Sequence, residues 1–325
     1  MRFLVTGGSG FIGGHLVEAL LDHGAERVIV LDRWLAKELA PFQTKASFEY
    51  VNGDIRDRQL LKHLCRGVDV VYHLASVLGT SESIEIYDPA EVAEINVVGT
   101  LSVLQASRAA NVKKVIYPST PDVPWLNPYK ITKRACEDFC RMFYQEYGLR
   151  TVVLRLTNVY GPRERWLGCD WGAPYNYQKV VPTFIVRALK NEPLPVFGDG
   201  EQEGVYVYVK DVVEALLLAV TRDECDGKII PIGSTAKLSV KNLALLILKL
   251  TNSESLLEFH PMRRGEIKVS IDVDLSLAEQ YLGFKAKTKA FKRRLLFTGK
   301  NFLKLKPLVP VDKLWCGGEK YVEYI

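Results

Sequence analysis

The chain has 325 residues, 48% of them apolar and 25% charged, and a net charge of +5. That composition fits a globular protein with one large domain and a smaller lobe, and it excludes a disordered chain, a collagenous one and a disulfide scaffold. No apolar run is long enough to span a bilayer and the first strand starts almost at Met1, so neither a membrane span nor a secretion leader is expected, and the expected location is cytoplasmic.

The first predicted element is an apolar strand, Phe3-Leu4-Val5, followed by Thr6-Gly7-Gly8-Ser9-Gly10-Phe11-Ile12-Gly13 and a helix over 15–23. Gly7, Gly10 and Gly13 fall where a strand turns sharply into a helix, so backbone N–H groups can approach a pyrophosphate at the positive helix end. A second strand over 27–31 ends in Asp32. An acid there, about twenty positions past the glycines, is placed to bind both ribose hydroxyls of an adenosine, which favours NAD over NADP. Arg33 is the competing signal, because a guanidinium pairs with a 2′-phosphate.

Up to about residue 165, short β-branched runs such as 68–73 and 114–117 alternate with helical stretches such as 96–110 and 129–147. That alternation predicts an α/β fold, a Rossmann-type doubly wound parallel sheet with a smaller C-terminal substrate-binding lobe. The expected division is an NAD-binding domain at 1–173 and 205–233, a lobe at 174–204 and 234–288, and a basic tail at 289–325. Residues 205–232 read as a strand and helix returning to the large domain.

The charge is concentrated late: residues 284–306 hold nine Lys or Arg and no acid, so the remainder of the chain is net acidic. Phe291, Leu295, Thr298, Phe302 and Leu305 recur at helical spacing opposite most of those cations. Two readings stand: a final helix packed on the lobe with a solvated basic face, or a helix held weakly at an anionic membrane surface. The six cysteines show no paired metal-ligand spacing. Cys136 and Cys140 share a helix face and read as buried thiols, and no metal is expected.

In the order and spacing of its motifs, the chain from residue 1 to about 288 resembles the extended short-chain dehydrogenase/reductases that act on nucleotide sugars, the NAD-dependent epimerase/dehydratase group. The resemblance is carried by 6–13, by Gly53-Asp54-Ile55-Arg56-Asp57, His73-Leu74-Ala75-Ser76, Asn96-Val97-Val98-Gly99-Thr100 and Pro118-Ser119-Thr120. It continues through Tyr129-Lys130-Ile131-Thr132-Lys133, Leu154–Arg163, Phe197-Gly198-Asp199-Gly200 and Pro261–Glu266.

The resemblance implies that Tyr129 takes a hydroxyl proton while hydride leaves the carbon for NAD, and that Lys133 lowers the phenol pKa and grips the nicotinamide ribose. An unperturbed phenol is a poor base at neutral pH, so nearby positive charge is required. Thr120 is the implied third member, with Ser119 as the alternate. Implied cofactor contacts are Gly7, Gly10, Phe11, Ile12, Gly13, Asp32, Arg33, Asp54, Ile55, Leu74, Ala75, Tyr129 and Lys133. Implied substrate contacts are Ser119, Asn158, Phe197 and Arg263. His73 reads as a structural residue beneath the cofactor, and the helices around 96–110 and 129–147 imply a homodimer.

The chain departs from the family pattern twice. Only Pro121 to Pro128 separate Thr120 from Tyr129, where relatives carry a longer loop; Trp166 and Trp171 are candidates to fill that space. Gly204 stands where an arginine is usual, between Glu201 and Glu203 and a following strand, which leaves Arg263 as the best phosphate partner. The expected activity is oxidation of a sugar hydroxyl to a ketone, most simply by a 4-epimerase. The alternatives are a dehydratase or decarboxylase using Asp122, a simple ketone reductase, and a non-catalytic NAD-sensing or partner-binding protein.

Overall fold

The structure, a computed structural model, describes residues 1–164, 179–287, 294, 295 and 298. Twelve strands lie among them. They are β1 (Arg2–Thr6), β2 (Arg27–Asp32), β3 (Phe48–Asn52), β4 (Val70–His73), β5 (Lys114–Ser119), β6 (Thr151–Leu156), β7 (Asn158–Tyr160), β8 (Leu194–Phe197), β9 (Glu203–Tyr208), β10 (Ile229–Ile232), β11 (Lys237–Ser239) and β12 (Leu257–His260). The helices are α1 (Phe11–Asp22), α2 (Arg58–Leu64), α3 (Glu82–Glu85), α4 (Pro89–Ala93), α5 (Gly99–Ala109), α6 (Pro128–Tyr147), α7 (Val180–Lys190), α8 (Val209–Thr221), α9 (Val240–Thr251) and α10 (Ser276–Leu282).

Seven strands form one parallel sheet in the order β10-β6-β5-β4-β1-β2-β3. Apolar side chains cover both faces. One core joins β1, β2 and β4 to α1, α8 and α10, and the other joins the sheet to α2, α5 and α6. Burial on both faces explains the near-continuous apolar runs of these strands. β1 pairs with both β2 and β4, so the strand order reverses at β1, and in such sheets ligands bind at that point beyond the strand ends.

The strand that opens the stretch 205–232, read as returning to the large domain, is β9, which pairs with β7 and β11 in a separate three-stranded sheet. The return is made afterwards, by α8 packing on α1 and by β10 pairing with β6. β8 and β12 form a two-stranded parallel sheet, and α7, α9 and β7–β9 enclose a third core.

The tail contributes to that third core: Leu295 is 2% exposed and Thr298 fully buried. Arg294 grips the buried Asp211 carboxylate at 2.6 and 2.9 Å and lies 4.5 Å over the Tyr208 ring. Two positions of the tail's apolar stripe are therefore taken up by the protein itself. Phe291, Phe302 and Leu305, like Trp166 and Trp171, lie outside the described residues.

Candidate active site

The seat for a dinucleotide begins where β1 ends. Gly7 has φ +69°, and a Cβ there would lie 2.6 Å from the Ala75 nitrogen, so only glycine allows the loop to meet the Leu74–Ala75 backbone. At Gly13 a Cβ would fall 2.2 Å from the Gly7 carbonyl oxygen, which sets how closely α1 approaches the loop. Gly10 caps α1 with extended backbone and no side chain caps the helix, so the helix begins at Phe11, four residues earlier than expected. Its first N–H groups, at Phe11 and Ile12, have no intrahelical acceptor, as an anion site needs.

Asp32, at the end of β2, accepts the Ser9 N–H at 2.9 Å and the Arg33 N–H at 2.8 Å. The carboxylate is thereby fixed beside the glycine loop, while Arg33 is exposed. Asp54 is paired with Arg56, whose guanidinium holds the carboxyl below the usual range. Ile55 is buried against Gly99, where a Cβ would come within 2.5 Å of its side chain. A cradle that a Cβ would fill, an uncapped helix start and a tethered acid fit the pyrophosphate and ribose of NAD.

His73 lies under this seat, buried, bonded through Nδ1 to Thr6 Oγ1 at 2.7 Å and through Nε2 to Thr100 Oγ1 at 2.9 Å. Burial and the nearby Lys133 charge pull its pKa down to about 3, so it is a neutral structural ring.

The candidate catalytic residues lie at the carboxyl end of β5 and in the first turns of α6. Helix α6 starts at Pro128 because Asn127 accepts the Lys130 N–H at 2.9 Å and proline suits the first helical position. This puts Tyr129 and Lys133 one turn apart on one face. Lys133 is buried; its ammonium donates to the Pro118 carbonyl at 2.7 Å and lies 4.3 Å over the Tyr117 ring. Burial draws its pKa down to about 8. Thr120 is half-buried at the strand end, and the Ser119 hydroxyl beside it is buried with no hydrogen-bond partner among the described residues.

Tyr129 departs from the expectation that Lys133 lowers its phenol. Burial first, and the Glu82 carboxylate second, push the phenol up to about 12, and the lysine is committed to Pro118. Desolvation of the buried phenol outweighs a cation that is itself desolvated and turned to a carbonyl.

Asp122, two residues past Thr120, is exposed and paired with Arg134 of α6 at 2.8 Å and with Arg155 of β6 at 3.6 Å. The short wall from Pro121 to Pro128 is held by Lys130 donating to the Pro121 carbonyl and by Trp125 donating to the Ile267 carbonyl at 3.2 Å. Asn127 donates to the Gly265 carbonyl at 3.4 Å, so the late block around Pro261–Glu266 closes over the wall.

Phe197 and Arg263 do meet: the guanidinium lies 5.5 Å from the ring, which also packs on His260, and Glu266 chelates it. Asn158 is exposed at the start of β7, beside Gly204, where a Cβ would fall 2.6 Å from the Asn158 amide nitrogen. The acids flanking Gly204 are engaged at the surface, Glu201 with Lys241 and Glu203 with Lys237 and Ser270.

Two residues that the sequence reading did not single out belong to the site. Ser83 Oγ accepts the Tyr129 N–H at 3.3 Å, and Glu82, beside it on α3, is buried and 3.8 Å from Lys179. The segment 78–88 carries no periodic or motif signal, so only the fold reveals them.

The family model for NAD dependent epimerase/dehydratase proteins matches residues 3–233. A putative UDP-glucose 4-epimerase of Methanocaldococcus jannaschii is 31% identical over 87% of this chain and 92% of its own. A UDP-N-acetyl-alpha-D-glucosaminuronate decarboxylase of Bacillus cytotoxicus is 33% identical over 81% of this chain and 84% of its own. The crystal structure of the Thermotoga maritima UDP-glucose 4-epimerase with UDP-glucose superposes with a TM-score of 0.81 at 32% identity, covering 94% of this chain and 99% of that one.

Proposed function

The chain belongs to the NAD-dependent epimerase/dehydratase family, and from that premise we propose that it is a nucleotide-sugar 4-epimerase. The observation that carries the reading is the placing of Tyr129 and Lys133 on one buried face of α6, while the Asp122 carboxylate is exposed and ion-paired with Arg134 and Arg155. When bound, NAD supplies a reversible hydride acceptor, held by Gly7, Gly10, Gly13 and Asp32. Tyr129 takes the sugar hydroxyl proton and returns it, the positive charge of the oxidised nicotinamide, when bound, offsetting the burial that raises the phenol; Thr120 orients that hydroxyl, and Lys133, with donors left beyond the one given to Pro118, holds the nicotinamide ribose. Asn158, Phe197 and Arg263 line the nucleotide side of the cleft in this reading.

Dehydration or decarboxylation through Asp122 would require that carboxylate to leave two guanidinium groups. Incubation with UDP- and dTDP-glucose, followed by NMR of the product, tests the choice. A 4-epimer supports the reading, and a 4-keto-6-deoxy sugar replaces it with a dehydratase.

The two-lobe division, 1–173 with 205–233 and 174–204 with 234–288, is part of the same proposal. So is a homodimer, supported by Val98, Ile131, Tyr144 and Tyr147, exposed apolar residues on the helical run through α5 and on α6. Light scattering at the mass of a single chain would remove it. The four described cysteines are free and buried, which supports a reducing, cytoplasmic location. No described helix is long and apolar enough to cross a membrane. Burial of Leu295 and Thr298 supports a tail docked on the lobe over a membrane-surface contact.

A further inference from the structure

We propose that Arg163 is a positioning residue for the cofactor: it clamps helix α1, which opens the dinucleotide seat, to the segment that follows β7, and NAD is held less tightly when the clamp is released. The inference rests on NAD occupying the glycine seat and not on the epimerase reading.

The backbone marks the position. Among the described residues, four other than glycine have positive φ, three of them asparagines and the fourth Arg163 at +65°. Asparagine visits that region readily, whereas a long side chain stays there only where its surroundings hold it.

What holds it is a fork of bonds to α1. The guanidinium grips the Glu18 carboxylate at 2.7 Å through each of two nitrogens, and one of these also donates to His15 Nδ1. Arginine carries only donors, so Nδ1 accepts, and the neutral ring donates from Nε2 to the Pro162 carbonyl at 2.9 Å. Burial, which draws His15 down to about 4, keeps the ring neutral near pH 7. His15 and Glu18, three apart, share the face of α1 that Pro162 and Arg163 cross.

The clamp reaches the anion end of the helix. His15 lies one turn past Phe11, whose ring stands edge-on to it at 5.9 Å, and Phe11 supplies the first N–H of α1. The segment on the other side is itself anchored. Tyr160 packs on Tyr208, and Gly161 lies so near Val209 at the start of α8 that a Cβ would come within 2.5 Å of its Cγ1. The Arg163 and Glu18 side chains are 23% and 29% exposed, so a charge-assisted, bidentate pair is only partly screened by solvent.

The test reads NAD affinity by fluorescence titration, and the thermal midpoint, on the full chain for wild type, Arg163→Gly, Glu18→Gln and the double variant. Glycine adopts φ +65° without strain, so Arg163→Gly keeps the turn and removes the clamp. Glu18→Gln leaves residue 163 as it is and removes the charge. Each single variant should lose at least about fivefold in NAD affinity, and the double variant no more than the larger single loss, because the two residues act as one unit. A role confined to stability would lower the thermal midpoint and leave NAD affinity as in wild type. Wild-type NAD affinity in either single variant, or losses that multiply in the double variant, would overturn the proposal. A product other than the 4-epimer would change the epimerase reading and leave this titration untouched.

Discussion

Lys133 donates its ammonium to the carbonyl of Pro118 at 2.7 Å, which locks the helix carrying Tyr129 to the strand that Thr120 directly follows. Because both residues are buried, the bond is shielded from water, and the spacing of the tyrosine and the threonine is set by the core rather than by a loop.

Replacing Tyr129 with phenylalanine keeps the ring that packs at the start of α6 and removes the proton acceptor. Turnover is expected to fall at least about 100-fold with NAD content unchanged. Near-normal turnover, measured by product NMR, would rule out this residue as the base.

Asp32 is fixed by the Ser9 and Arg33 N–H groups beside the ribose position. Asp32→Ala should weaken NAD by about tenfold or more and NADP far less, because a charge-assisted hydrogen bond is lost only with a free ribose hydroxyl. A wild-type preference for NADP in a fluorescence titration would reverse the assignment.

Asp122→Asn should leave both the product and turnover close to wild type, since the carboxylate serves Arg134 and Arg155 at the surface. The cost to stability should stay within about 1 kcal/mol. Loss of one product class in the variant, with ketone formation retained, would restore Asp122 to the chemistry.

His73 and His15 give the fold an acid sensitivity. Burial lowers His73 to about 3 and His15 to about 4, against an unfolded value near 6.5. The unfolded chain therefore binds more protons below pH 6.5, so their contribution is intact above that pH and declines as pH falls toward 4, by about 1.4 kcal/mol per pH unit for each ring. Thermal midpoints should drop through that window, and His73→Asn should flatten the slope. A midpoint that holds steady between pH 6.5 and 4 would contradict neutral burial.

Gly204→Ala should destabilise the lobe by about 1–3 kcal/mol, because the added carbon would lie 2.6 Å from the Asn158 amide and 3.2 Å from the Tyr206 hydroxyl. Denaturant midpoints report it directly. An unchanged midpoint would mean that Asn158 swings aside without cost.

The dinucleotide seat and the Tyr-x-x-x-Lys pair were legible in the sequence for a local reason. Gly7, Gly10 and Gly13 answer constraints within one strand-turn-helix, and residues four apart on a helix share a face wherever that helix lies. The parallel sheet followed from alternating apolar runs in the same way. Where a side chain points across the fold was not legible. Asp122 was offered for the dehydratase or decarboxylase alternative by its place two residues after Thr120, and only the fold shows its ion pairs with Arg134 on α6 and Arg155 on β6. Strand β9 was legible as a strand, but not its partners β7 and β11, which are brought to it by long-range pairing that carries no local signal. Ser83 and Glu82 were silent in the sequence, and only the docking of α3 on α6, with Lys179 arriving from the start of α7, brings them to the first turn of α6. Local backbone geometry is written in residue type and spacing; the pairing of charges is decided by which distant segments the folded core holds together.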